Sequence, residues 1–130
     1  MSVFGNYASA EVVDAAEKFI SKMDEHDLSA AIDQSERTMS PHGRALFVEA
    51  IFDAFRQRGE SSEDAAEAAG TTLDAIARDE SAIQALLSYA KSNPGLLKEA
   101  AIVLIERHPD MVSQLAPQIA DGIAQRLLER

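Results

Sequence analysis

Four prolines punctuate this chain, and Pro41, Pro94, Pro109 and Pro117 each stand at the head of an apolar pattern with helical spacing. Proline suits the first position of a helix, where its missing N–H would have gone unpaired anyway. It also pushes the residue before it out of the α region. The pairs Ser40-Pro41, Asn93-Pro94, His108-Pro109 and Ala116-Pro117 therefore read as helix starts. Strand formers do not gather into alternating runs, while Ala, Leu, Glu, Gln and Arg fill most of the chain. These are the residues that lose least by becoming helical. The expectation is an all-α, multi-helix bundle of about six to eight helices.

The periodicity predicts a first helix from Ala10 to His26 with Ser9 as N-cap, its apolar face made by Val12, Ala16, Phe19, Ile20 and Met23. A second, poorer in apolar residues, covers Leu28 to Arg37, and a third runs from Pro41 to Arg58 with Gly59 just past its end. Phe47, Val48, Ile51, Phe52 and Phe55 form the buried face of the third helix, which carries three of the chain's seven aromatic residues, the densest group of them. Short helices follow at Ser62–Ala69 and Leu73–Arg78, the first stopped by Gly70 and the second capped by Thr72. Ala82–Lys91 comes next. The helix opened by Pro94 is apolar almost all round, which marks it as central. The last segment breaks near Pro117 and continues as an amphipathic helix through Leu128. Pro94 and Pro109 open similar segments 15 residues apart, a hint of stacked helix pairs. With 130 residues, 46% of them apolar, and no linker, the chain reads as one domain spanning 1–130.

Charge and composition exclude several kinds of chemistry. The chain has no Cys, which removes disulfides, thiolate metal sites and thiol nucleophiles. Met1 to Ala10 lacks a basic region and a long apolar run, and no stretch is long enough to span a bilayer. A soluble, cytoplasmic protein with no membrane partner is expected. The net charge is −10, concentrated in the first half. Such a field repels phosphate backbones and anionic headgroups and suits a basic protein partner.

The candidate sites are few. None of His26, His42 and His108 belongs to a spacing that puts two ligands on one helical face. Asp24, Glu25, His26 and Asp27 fan around what reads as the end of the first helix, with His26 near its negative pole. His42, Glu49 and Asp53 fall within a strip roughly 40° wide on the third helix, bordered by Arg56. This His-and-carboxylate strip is the better metal candidate, beside a hard-cation site at Asp24 to Asp27, and its position opposite the Phe-rich face also reads as an ordinary solvated side. His108-Pro109-Asp110 reads as punctuation between two helices. No Gly-rich phosphate loop and no nucleophile elbow is present, and no catalytic residue or cofactor is assigned.

One short pattern suggests a job. Gly59 to Ile76 resembles the helix-turn-helix motif of many bacterial and phage regulators, with Ala66, Gly70, Thr72 and Ile76 where that motif places its small packing residue, turn glycine, cap and buried aliphatic. The resemblance implies a DNA-binding regulator using residues 59–80. The charges oppose it: Glu60 to Glu80 holds seven acids and one base, Arg78, and position 79 is Asp where the motif takes an apolar residue.

The sequence thus points to a non-catalytic helical interaction domain of an adaptor or regulatory kind. A helix-turn-helix regulator and a helical small-molecule or metal-binding protein stand as alternatives. A protein partner or self-association is expected and nucleic acid is disfavoured. The two-faced last helix, ending Leu127-Leu128-Glu129-Arg130, is the expected self-association surface, and Val3 to Tyr7 is expected to cover a groove, on its own domain or on a partner.

Overall fold

The computed structural model describes residues 3–129; Met1, Ser2 and Arg130 lie outside them. Among the described residues there are eight α-helices, two 3-10 segments and no strand. The α-helices are α1 (Ser9–Lys22), α2 (Glu25–Thr38), α3 (Pro41–Gln57), α4 (Ser62–Ala68), α5 (Leu73–Arg78), α6 (Glu80–Lys91), α7 (Leu96–Arg107) and α8 (Pro117–Leu128). The 3-10 segments are Val3–Asn6 and Pro109–Gln114. No helix among these residues is long and apolar enough to cross a membrane.

Local chemistry accounts for most boundaries. The Ser40 hydroxyl accepts from the Gly43 N–H at 3.0 Å, and Pro41 takes the first helical position of α3. At the other end Glu60 N–H reaches the Phe55 carbonyl and Gly59 N–H the Arg56 carbonyl, both at 3.0 Å, with Gly59 at φ +88°. That is a Schellman closure, and the left-handed residue it needs is glycine. Gly70, at φ +84°, closes α4 in the same way.

Several boundaries differ from expectation, among them the starts of α2 at Glu25 and of α6 at Glu80. The first helix starts one residue early, at Ser9, and its cap position is Ala8, whose N–H donates to Glu11. It also stops at Lys22 instead of His26, because the Asp24 carboxylate accepts from the N–H groups of His26 and Asp27 at 3.0 and 3.3 Å and opens α2. His26 therefore lies in the first turn of α2 and not at a negative helix end. The prolines also divide. Pro41 and Pro117 are at helix starts, but Pro94 lies in a turn and α7 begins at Leu96 with Gly95 as its cap. Pro109 opens a 3-10 segment, so the segments after Pro94 and Pro109 are not two copies of one unit.

The core forms around α3 and α7, which pack on each other more extensively than any other pair. Phe47, Ile51 and Phe55 of α3 and Leu96, Leu104 and Ile105 of α7 are fully buried. Helix α7 is covered on several sides, by α1, α2, α6 and the second 3-10 segment. Helices α4 to α6 close one end, where the Tyr89 ring stacks on Phe55 at 5.2 Å and its hydroxyl donates to Glu60 at 2.9 Å. Helix α8 lies on α1 and α2.

Two surfaces are settled by this packing. The apolar face of α8, expected to pair with a second copy, buries Ile119, Ile123 and Leu127 inside the fold; Leu128 is 66% exposed. Phe4 and Tyr7 pack on the core beside Val12 and Pro109, so this segment covers its own domain.

Candidate docking groove

Helix α5 packs mainly on α4 and α6, and an open groove separates it from part of α3. The result is an open groove of about 500 Å³ between α3, α5 and the start of α6. Ala45, Val48 and Phe52 line it from α3, Leu73, Ile76 and Ala77 from α5, and Ile83 from α6. Val48, Phe52 and Ile76 are buried, whereas Leu73 is 37% exposed, an uncommon position for a leucine among its neighbours.

Helix α5 is held at both ends by short-range bonds. The Thr72 hydroxyl accepts from Ala75 N–H at 3.1 Å. At the far end Asp79 N–H donates to the Ala75 carbonyl at 2.8 Å, while its carboxylate accepts from Ser81 N–H at 3.1 Å and so caps α6. A six-residue helix has little stability of its own, so these two caps and the buried Ile76 set the position of that wall.

The charges on the groove are unequal. Arg44 is turned back toward the buried Glu36, whose carboxylate oxygen lies 3.1 Å from Nε in an ionic contact without a hydrogen bond between these atoms. Its Nη2 donates to the Glu36 carbonyl at 3.3 Å, and Nη1 lies 3.7 Å from Glu80. Arg78 pairs with Asp74 at 3.0 Å. Both lining arginines are thus matched by carboxylates. Glu49 has no ion-pair partner among the described residues, and Asp79 is matched only by the backbone that it caps.

The strip of His42, Glu49 and Asp53 separates in the structure. His42 is exposed in the first turn of α3, and Glu49 is exposed on the groove. Asp53 is only 6% exposed and accepts from Arg56 on its own helix and from Arg107 at the end of α7. Arg56 in turn donates to the Ser62 hydroxyl at 2.7 Å. The expected solvated strip is therefore interrupted by a buried carboxylate that ties α3 to α7. Among the described residues no group of three or more His, Cys, Asp or Glu is placed to hold a metal ion.

The helix-turn-helix pattern is realised locally. Ala65 and Ala66 are buried, Gly70 makes the turn, Thr72 caps and Ile76 is buried. The groove itself was not legible as a site. Val48, Phe52 and Ile76 carry only the signature of a core face, and the available signal was Leu73, an apolar residue directly after the Thr72 cap of a short helix in an acid-rich segment. Comparison with protein families, curated proteins and solved structures yields no match.

Proposed function

We propose that this chain is a non-catalytic helical interaction module that docks a protein partner in the groove between α3, α5 and α6, with the cytoplasm as its compartment. The observation that carries the reading is the continuous apolar lining from Val48 and Phe52 across to the exposed Leu73, with charged residues along its margin. An apolar centre with a charged rim is the usual anatomy of a protein interface. Site-directed photo-crosslinking in cells that express the protein tests it. A photoreactive residue at Ala45, on the groove, is expected to give one adduct of defined mass, and one at Gln125, on exposed α8, none. No adduct at Ala45, or the same adducts at both positions, overturns the reading.

A second reading, a helix-turn-helix regulator, has the Gly70 turn and Thr72 cap in its favour. The outward side chains of α5 oppose it: Leu73, Asp74, Ala77, and an Arg78 bound to Asp74. A gel shift with duplex DNA at low salt that fades steeply as salt rises would move the assignment to nucleic acid.

A further inference from the structure

We infer that the occupant of the groove is an amphipathic α-helix of about three turns whose polar flanks carry Lys or Arg; this rests on the docking reading above. Shape comes first. Helix α3 contributes Pro41, Ala45, Val48 and Phe52, which is one residue per turn along a single face. Eleven residue steps make a straight wall of about 17 Å. An open groove walled by helices suits a helix, whose apolar residues at i, i+3, i+4 and i+7 would meet the α3 wall turn by turn. An added strand would need a sheet edge, and the described residues contain no strand.

Charge then selects the flanks. Arg44 and Arg78 are already matched, which leaves Glu49 and Asp79 facing the occupant. The wall containing α5 belongs to the segment with seven acids and one base, and the whole chain carries −10. Basic flanks would be drawn to this margin and would complement it once docked. The same field disfavours a second copy of the chain, which would bring another −10 against the first.

The test uses the intact chain and three peptides of about twelve residues, the length that matches the wall. One has a leucine stripe with lysine flanks, one the same stripe with glutamate flanks, and one the lysine composition with the stripe scrambled. Fluorescence anisotropy is expected to rank the lysine-flanked helix about tenfold or more above both others, since each lacks one of the two matched features. Leu73→Asp is expected to abolish the preference for the striped over the scrambled lysine peptide and Glu49→Lys to weaken binding of the lysine-flanked helix severalfold; circular dichroism and thermal melting of both variants report that they remain folded. Equal binding of the two striped peptides, or of the scrambled and striped lysine peptides, overturns the inference. So does reversible dimerisation of the chain alone that Leu73→Asp removes, which would make a second copy the occupant. If no peptide binds while Ala45 still gives its adduct, the groove docks a partner of other chemistry: the inference fails and the docking reading stands.

Discussion

Arg107, the last residue of α7, donates to the buried carboxylate of Asp53 on α3, across 54 positions of sequence. Asp53 also accepts from Arg56, and Arg56 bonds Ser62 at the start of α4. One carboxylate thereby joins three helices at the edge of the main helix–helix contact. Removing it leaves two guanidinium groups without their acceptor, though these are 52% and 59% exposed and can return to water. Asp53→Asn should therefore cost about 1–3 kcal/mol in urea unfolding, below the figure for a fully buried pair. Arg107→Met should cost less, because Arg56 remains. Equal losses in the two variants would refute this division of labour.

The tip of the Phe19 ring of α1 meets Gly122 of α8, close enough that a Cβ at 122 would overlap it. Alanine ordinarily gains about 1 kcal/mol over glycine inside a helix. Here the overlap should reverse the sign, making Gly122→Ala destabilising by about 1–3 kcal/mol. In a Phe19→Ala background the same change should become neutral or stabilising. A double-mutant cycle by thermal denaturation checks this, and additive effects would contradict it.

Ser35 is fully buried, donates to the Ala31 carbonyl at 2.8 Å and accepts from Ala116 N–H at 2.7 Å. Ala116 is the cap residue just before α8, and its N–H is taken by a serine from α2. Ser35→Ala should leave a buried N–H unpaired and lower stability by about 1–3 kcal/mol. Amide exchange at Ala116 should accelerate relative to α3, and unchanged exchange there would count against the assignment.

Glu106 has its proton affinity raised above the usual carboxylate range, first by burial and then by Glu17 on α1. A carboxyl with a raised folded-state pKa stabilises the fold at pH below its ordinary value and loses that contribution as pH rises through the folded value. At neutral pH ionised Glu106 opposes Glu17, an effect that solvent screens in part because the residue is exposed. Glu106→Gln should raise the melting temperature at pH 7, and the gain should shrink as pH falls through the ordinary carboxylate range. A gain independent of pH would assign the effect to packing.

What was legible in the chain is what near neighbours decide. The Ser40-Pro41 start, the Gly59 and Gly70 stops and the Thr72 cap involve bonds over a few residues, and the sequence shows both partners together. The central place of the Phe-rich helix and of the helix after Pro94 was also readable, since a helix apolar on most of its circumference can only be stable when surrounded. The break at Asp24 was local too, but there an N-cap carboxylate competed with an apolar period running on through Met23, and the cap won.

The tertiary structure decided everything that depends on which element meets which. Periodicity shows that a face must be covered and is silent about the cover. The apolar face of α8 is taken by α1 and α2, which removes the surface the sequence offered for self-association. Asp53 sits on a face that reads as solvated, and becomes buried because Arg107 arrives from α7. The groove follows the same reason: Val48, Phe52 and Leu73 have ordinary core signatures, and they line an open trough because α5 rests mainly on α4 and α6, which leaves Leu73 exposed at its rim.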